Sequence, residues 1–233
     1  MWNGVGRKTR DWRLEIGSAS FNLQSPISNL FLLFMLIPLI GCASVDPVIK
    51  IGLVGPFEGQ QRPIGYDVIY SARLAVREIN AAGGIDGHRV ALVALDDSAD
   101  PELAMQTAAS LTIDPAVVAV VGHWQTETTT AAAPIYQQAN LPFIPMGQPP
   151  FGEYDPGQLA AEFQQAYEAV TPFAETAGPY AGSTYDAFQL LFHTLELGKE
   201  NGQINRESVA NGLAGLEYEG LTGTVYLPVS SSQ

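Results

Sequence analysis

Two kinds of apolar pattern alternate between residues 48 and 146. Helices are predicted where apolar residues recur every three or four positions, as Val68, Ala72, Ala75 and Ile79 do. Four short runs rich in β-branched residues are typical of buried parallel strands: 48–55, 90–95, 117–121 and 141–144. The alternation predicts an α/β fold, a doubly wound parallel sheet flanked by helices.

Local signals support two of these helices. Asp100 followed by Pro101 predicts an N-cap and a first-turn proline, for a helix that runs to about Leu111. Another helix is predicted to begin near Thr126. The glycines of residues 82–87 are typical of a helix end followed by a turn, because they tolerate positive φ angles.

The pattern changes after Pro145. Residues 148–152 read Gln-Pro-Pro-Phe-Gly, which is typical of a break between segments. Three helical faces follow: Leu159, Phe163, Ala166 and Val170; then Thr184, Phe188, Leu191 and Leu195; then Val209, Leu213 and Leu216. A last strand is predicted from Thr222 to Leu227. Residues 151–233 are therefore expected to be mainly helical.

The first 42 residues have the pattern of a bacterial lipoprotein leader. An apolar run from Leu30 to Ile40 follows a basic region and ends in Leu-Ile-Gly-Cys, at Cys42. The run is short for a membrane-spanning helix. We therefore expect residues 1–41 to be a signal peptide, a lipidated Cys42 to anchor the chain to the membrane, and residues 42–47 to be a linker. The alternative is an uncleaved N-terminal anchor.

The charge and the cysteine content of the chain limit which molecules it can bind and which cross-links it can form. The formal net charge is −13, and removal of residues 1–41 would change it to about −15, because that segment holds four of the 11 basic and two of the 24 acidic side chains. Such a surface repels polyanions and argues against a nucleic-acid partner. Cys42 is the single cysteine, which excludes an intrachain disulfide. A chain of this length and hydrophobic content can bury one good core, so only one or two domains are plausible in residues 48–233.

Candidate binding residues follow the predicted strands. Ligands of open α/β sheets bind beyond the carboxyl ends of the strands, where helix N-termini present amide donors. Trp124, Gln125 and Thr126 follow the third strand, Gln148 follows the fourth and Phe57 follows the first. Each has a simpler alternative: Thr126 as an N-cap, Trp124 as packing at the rim, and Gln148 and Phe57 as ordinary loop residues.

No other cluster of residues predicts a metal site or a catalytic site. Asp96, Asp97 and Asp100 lack the ligand spacing of a calcium loop, and turn and cap roles explain them better. The three histidines show neither metal-ligand spacing nor a nucleophile beside them: His88, His123 and His193. We therefore expect no metal site, no cofactor and no enzymatic activity.

Several runs together resemble one family. The runs are 49–57 (Ile-Lys-Ile-Gly-Leu-Val-Gly-Pro-Phe), 75–87 (Ala-Val-Arg-Glu-Ile-Asn-Ala-Ala-Gly-Gly-Ile-Asp-Gly), 141–145 (Leu-Pro-Phe-Ile-Pro), 184–187 (Thr-Tyr-Asp-Ala), 206–209 (Arg-Glu-Ser-Val) and 220–223 (Gly-Leu-Thr-Gly). In order and spacing they resemble the branched-chain amino-acid (Leu/Ile/Val-type) periplasmic solute-binding proteins of ABC transporters. The resemblance implies one lobe of a type I periplasmic binding protein fold, because the region expected to hold the second lobe after residue 146 is absent.

The resemblance also implies a function. It predicts an extracytoplasmic component that binds a branched-chain or amide-like amino acid, or a similar polar solute, and delivers it to an ABC permease. Thr126 matches a hydroxyl residue that contacts the ligand in the family, whereas Gln148 stands where the family carries small hydroxyl residues. Binding by one lobe is expected to be weak. The alternatives are an interaction or sensory module whose open cleft face pairs with another protein or forms a homodimer, and a decayed gene product.

Overall fold

The computed structural model describes residues 47–199 and 204–228. The chain divides into two units, Met1–Val45 and Asp46–Gln233, and the described residues belong to the second. The predicted signal peptide and Cys42 lie outside the described residues. Within the described part of the chain, every helix is too short or too polar to cross a membrane.

Four parallel strands form the central sheet. They are β1 (Val48–Gly55), β2 (Arg89–Asp96), β3 (Val117–Gly122) and β4 (Phe143–Ile144). Their order is β2-β1-β3-β4, with β1 paired along its whole length with β2 and β4 paired over two residues with β3. The predicted α/β fold with a parallel sheet is confirmed.

Six α-helices surround the sheet. They are α1 (Arg62–Ala81), α2 (Pro101–Ile113), α3 (Thr126–Gln138), α4 (Ala161–Glu168), α5 (Ala181–Lys199) and α6 (Arg206–Leu213), counted within the described residues. A short 3₁₀ helix, Pro156–Gln158, precedes α4. The predicted cap of α2 is confirmed, because the Asp100 carboxylate accepts hydrogen bonds from the Glu102 and Leu103 amides at 2.8 and 2.9 Å.

The two faces of the sheet are covered by different helices. On one face α1 packs against α5, and the predicted stripe of Val68, Ala72 and Ala75 is fully buried there. On the other face α2 packs against α3, with Leu111 and Tyr136 in a smaller core. Apolar side chains from both faces of the strands enter these two cores, as expected for a parallel sheet.

The C-terminal part differs from the prediction in three ways. Leu159 and Val170 of the first predicted helical face lie outside α4 (Ala161–Glu168). The predicted last strand is β6 (Gly223–Tyr226), but it pairs antiparallel with a strand that the pattern did not indicate, β5 (Glu217–Gly220). Helix α6 ends at Leu213, so Leu216 lies outside the helix. Gly215, with φ of 72°, turns the chain from α6 into this hairpin.

Two buried aspartates hold the C-terminal part in place. Asp67 of α1 accepts hydrogen bonds from the Gly178 and Tyr180 amides, at 2.9 and 2.7 Å, and from the Tyr167 hydroxyl at 3.2 Å. Burial raises the pKa of Asp67, although these hydrogen bonds oppose the shift. Asp186 of α5 accepts from the Leu221 and Thr222 amides, at 2.7 and 2.8 Å, and so holds the β5–β6 hairpin.

Arg206 makes a further connection, at the amino end of α6. Its guanidinium donates to the carbonyl oxygens at the amino-terminal edge of the sheet and at nearby helix ends: those of Thr112 at 3.1 Å, Asp114 at 2.9 Å, Val117 at 2.9 Å and Ala139 at 3.2 Å. The Arg206 guanidinium thus donates to four carbonyl groups at or just beyond the ends of helices and strands.

Candidate functional site

The carboxyl ends of β1 and β3 lie side by side at one edge of the sheet. From β1 the chain moves to β2 on one side, and from β3 it moves to β4 on the other. The direction of winding therefore reverses between β1 and β3, which is where open α/β sheets bind ligands. Phe57 lies two residues after the end of β1 and Trp124 two residues after the end of β3.

The N-terminus of α3 points its first amides toward this edge. Gln125 occupies the N-cap position, with φ of −101° and ψ of 146°, and no side chain forms a capping hydrogen bond there. Thr126 is the first helical residue, so the alternative that Thr126 is the N-cap is wrong. The uncapped amides and the helix dipole favour an anionic group.

Thr126 and Gln148 meet although 22 positions separate them. The Gln148 side-chain nitrogen Nε2 donates to the Thr126 hydroxyl oxygen Oγ1 at 2.7 Å. Both side chains are exposed. The structure therefore brings together two residues that the sequence predicted independently, one after β3 and one after β4.

Gly147 makes this contact possible. A Cβ atom at this position would lie 2.2 Å from the Trp124 carbonyl oxygen, and φ is 78°. The Gly147 amide donates to the Phe151 carbonyl at 2.9 Å. Only glycine allows the loop after β4 to approach the chain before α3 so closely.

Trp124 is more buried than a ligand-stacking residue would be. Its side chain is 5% exposed and packs against Gly55, where a Cβ atom would lie 3.0 Å from the ring. Among the described residues, the Trp124 Nε1 and the Gln125 Oε1 are buried without a hydrogen-bond partner. Contact of these two residues with a ligand stays a prediction.

The loop that carries Phe57 is fixed by Asp96 at the end of β2. The Asp96 carboxylate accepts from the Phe57 amide at 2.7 Å and from the Glu58 amide at 3.1 Å. Burial acts to raise the pKa of Asp96, but hydrogen bonds from Ser98, Glu58 and Phe57 outweigh it, and the pKa lies below its ordinary value. The predicted turn role of Asp96 is confirmed.

A buried polar chain behind Trp124 was not predicted. The His123 Nδ1 lies 2.6 Å from the Asp97 carboxylate, and the His123 Nε2 lies 3.2 Å from the Tyr136 hydroxyl. Asp97, His123 and Tyr136 are each 0% exposed. Burial raises the pKa of Tyr136, and the charge of Asp97 adds to the effect. Water does not reach these three side chains. Their hydrogen bonds support the site from behind.

His123 also connects β3 to its neighbours through its carbonyl group. That oxygen accepts from the Met146 amide at 3.1 Å and from the Thr129 hydroxyl at 3.3 Å. The imidazole and the carbonyl of His123 thus fix the relative positions of four parts of the fold. These are the ends of β2, β3 and β4 and the first turn of α3. Sequence reasoning missed this because Asp97 and His123 are 26 positions apart and each has an ordinary local role.

A cavity of about 560 Å³ lies beside β4. Thr126 and Gln148 line it, whereas Phe57, Trp124 and Gln125 do not. The described residues contain no group of three potential metal ligands. The edge of the sheet therefore offers amide donors, a hydroxyl and a carboxamide, which can bind a small polar anion or zwitterion.

Comparison with known proteins shows which family this sequence resembles. Residues 48–158 match the family model for the periplasmic binding proteins. The match covers slightly less than half of the chain. The resemblance seen in the sequence is confirmed.

Two relatives extend this result. An amino acid binding protein of Pseudomonas aeruginosa is 35% identical over 99 residues, which are 42% of this chain and 26% of that protein. The Leu/Ile/Val-binding protein of Escherichia coli K12 is 33% identical over 96 residues, 41% of this chain and 26% of that protein. The chain thus spans about a quarter of the length of these relatives. Both are named as binding proteins and neither as an enzyme.

A solved structure supports the fold. The branched-chain amino acid transporter substrate binding protein LivJ of Streptococcus pneumoniae, in complex with isoleucine, aligns with a TM-score of 0.64 over 77% of this chain and 91% of that chain. The sequence identity is 17%, so the likeness concerns the fold alone. The parallel sheet and its helices have the type I periplasmic binding protein fold.

Proposed function

We propose that this chain is a solute-binding component of an ABC-type amino-acid transport system, reduced to one lobe. It takes branched-chain or amide-like amino acids and delivers them to a permease. A lipid on Cys42 anchors it outside the cytoplasmic membrane. The match of residues 48–158 to the family model for the periplasmic binding proteins supports a role in binding and not in catalysis.

The observation that carries this proposal is the uncapped N-terminus of α3 beside the Thr126–Gln148 pair. The ligand carboxylate accepts hydrogen bonds from the first amides of α3, where the helix dipole favours negative charge. The Thr126 hydroxyl adds a donor when Gln148 turns toward the ligand. Glu127, exposed in the same turn, pairs with the ligand ammonium.

The remaining predicted residues contribute in different ways. Phe57 is half-buried on the loop after β1 and offers an apolar wall to the ligand side chain. Trp124 and Gln125 are mostly enclosed, and they position the first turn of α3. The polar chain behind Trp124 keeps this turn rigid, which lowers the entropic cost of binding.

One lobe is expected to bind weakly. Half of the enclosure that removes a ligand from water is missing, and only the surplus over the cost of association appears as affinity. We expect dissociation constants of roughly millimolar, which correspond to about −4 kcal/mol. Delivery to a permease then depends on the high local concentration that a membrane anchor provides.

Isothermal titration calorimetry tests the binding proposal. Leucine, isoleucine, valine and asparagine are titrated into the full chain and into Thr126→Ala, which loses one donor and binds about tenfold more weakly. Ser110→Ala, which removes an exposed hydroxyl from α2, is the matched control and leaves binding unchanged. Absence of heat with every amino acid contradicts the function, and sub-micromolar affinity of a monomer contradicts the weak binding of a single lobe.

A separate measurement tests the anchor. Mass spectrometry of the membrane fraction is expected to find Cys42 as a diacylglyceryl-modified N-terminal residue, and Cys42→Ala is expected to leave that fraction. Ser44→Ala, two positions away, is the control. Membrane-bound protein with an unmodified Cys42 and an intact leader would show an uncleaved anchor instead.

A further inference from the structure

Strand β4 is the outer strand of the sheet, and part of its backbone faces away from β3. The Pro142 carbonyl accepts from the Val120 amide at 2.9 Å, so in the alternating pattern of a strand the amide and carbonyl of Phe143 point outward. Within residues 47–199 and 204–228, neither outward group has a backbone partner on that side. An edge of this kind can pair with another strand.

The 560 Å³ cavity lies along this edge. It is bounded by Phe143, Ile144, Pro145 and Met146 of the β4 segment. Thr126, Thr129 and Thr130 of α3 line one side, and Ala210, Leu213 and Ala214 in and after α6 line the other. Helices thus cover both faces of the space, as they cover both faces of a central parallel strand.

The lining chemistry restricts the occupant. None of the residues that line the cavity carries a charge, although the chain has a formal net charge of −13. A charged occupant would lose its hydration without gaining a counter-ion. A small apolar molecule would fill the volume but leave the Phe143 amide and carbonyl without partners. An extended neutral peptide satisfies both requirements.

We propose that the cavity beside β4 binds an extended, uncharged segment of a partner protein, which adds a fifth strand to the sheet. The edge from Phe143 to Met146 is about 10 Å long and matches four residues of a strand. Its outward groups are the Phe143 amide and carbonyl and the Pro145 carbonyl, because proline has no N–H and the Met146 amide donates to the His123 carbonyl. Alternate side chains of that segment meet the threonines of α3 and the alanine and leucine side chains of α6. A sequence that alternates threonine or serine with an aliphatic residue therefore fits. The inference does not depend on amino-acid binding at the carboxyl edge, although Thr126 and Gln148 belong to both sites.

A synthetic peptide tests this inference on the unaltered full chain. The probe is acetyl-Thr-Val-Thr-Val-Thr-amide with a fluorophore, and binding is measured by fluorescence anisotropy. In the control peptide proline replaces the central threonine, which removes an amide donor while the peptide stays neutral and extended. We expect saturable binding of the probe and binding of the proline peptide that is at least about tenfold weaker.

Two variants locate the site. Thr130→Glu places a carboxylate at the exposed mouth of the cavity and is expected to weaken probe binding by at least about tenfold. Gln137→Glu adds the same charge at an exposed position of α3 outside the cavity and is expected to leave binding unchanged. Circular dichroism checks that both variants keep the fold.

Several outcomes overturn the proposal. One is no binding of the probe, and another is equal binding of the two peptides, which would mean that backbone pairing is not used. Displacement of the bound probe by 1-octanol at equal concentration would assign the cavity to small apolar molecules. Light scattering that shows a dimer of the unaltered chain and a monomer of Thr130→Glu would assign it to a second copy.

Discussion

Residues 48–146 and residues 151–228 are held in the fold by different means. The first region is a parallel sheet in which backbone hydrogen bonds and apolar side chains on both faces act along every strand. The second region packs α5 against α1 in the larger apolar core, and a few polar side chains add to this contact. Asp67 and Arg206 reach across the boundary between the regions, whereas Asp186 holds the hairpin to α5 within the second region. A sheet distributes its stability over many contacts, whereas the attachment of the second region depends in part on single polar residues.

Deeply buried and partly exposed carboxylates also differ in the direction of their pKa shifts. Burial dominates at Asp67 and Asp186 and raises their pKa values, while hydrogen bonds dominate at Asp96 and lower its pKa. The depth of each group explains the difference. Asp186 is 1% exposed, and an ion in that position loses most of its hydration.

Loss of Asp67 is expected to have the largest effect. Asp67→Ala leaves the amides of Gly178 and Tyr180 and the Tyr167 hydroxyl without their acceptor. We expect the free energy of unfolding to fall by about 3 kcal/mol, measured by urea denaturation. Glu162→Ala, which removes an exposed carboxylate from α4, should change it by less than about 0.5 kcal/mol. Equal effects of the two variants would show that Asp67 does not hold the second region.

Arg206→Ala is expected to have the next largest effect. Four carbonyl oxygens lose a charged donor, but Arg206 is only half-buried and water replaces part of the loss. A decrease of about 2 kcal/mol in the free energy of unfolding is expected. Arg206→Lys should recover only a minor part, since an ammonium group does not match the planar set of acceptors. Arg77→Ala, on an exposed face of α1, is the control, and a decrease of the same size there would contradict the assignment.

The smallest expected effect is in pH dependence, and its sign separates the partly exposed Asp96 from the buried Asp186. At Asp96 the folded chain prefers the ionised form, so its stabilisation is present above about pH 4 and is lost as pH falls through the lowered pKa. At Asp186 the folded chain prefers the protonated form, so stability decreases as pH rises from about 4 through the raised pKa.

Urea denaturation of Asp96→Asn and Asp186→Asn between pH 3 and 8 measures these slopes. The difference between the wild-type chain and Asp96→Asn, about 1 kcal/mol at neutral pH, should shrink below pH 4. The difference between the wild-type chain and Asp186→Asn should shrink as pH rises. If the two differences change with pH in the same direction, the contrast between the buried and the partly exposed carboxylate is wrong.

The first region was predictable because its signals are local. Asp100 and Pro101 are neighbours of the helix that they start, and the spacing of Val68, Ala72 and Ala75 is set by one helix. The hairpin of β5 was missed for the same reason. Residues 217–220 read Glu-Tyr-Glu-Gly, a short acidic stretch that becomes a strand only when β6 lies beside it.

The candidate site was predictable only in part. The carboxyl ends of the strands and the helix after β3 located Thr126 and Gln148, and the fold then joined them by a hydrogen bond. Trp124 faces the core, and His123 forms a buried chain with Asp97 and Tyr136. Nothing in the spacing of these residues indicates either result, because both depend on which strand ends become neighbours.

The sequence by itself determined the strands and helices of residues 48–146, the family and the order of the elements. Backbone propensity and apolar period act over a few residues, and the chain shows both directly. The tertiary structure alone decided that Asp67 and Arg206 reach between the two regions, that Trp124 is enclosed and that β4 has an open edge beside a neutral cavity. These features arise between residues far apart in the chain. They depend on burial and on hydrogen-bond geometry, which local backbone preference does not determine.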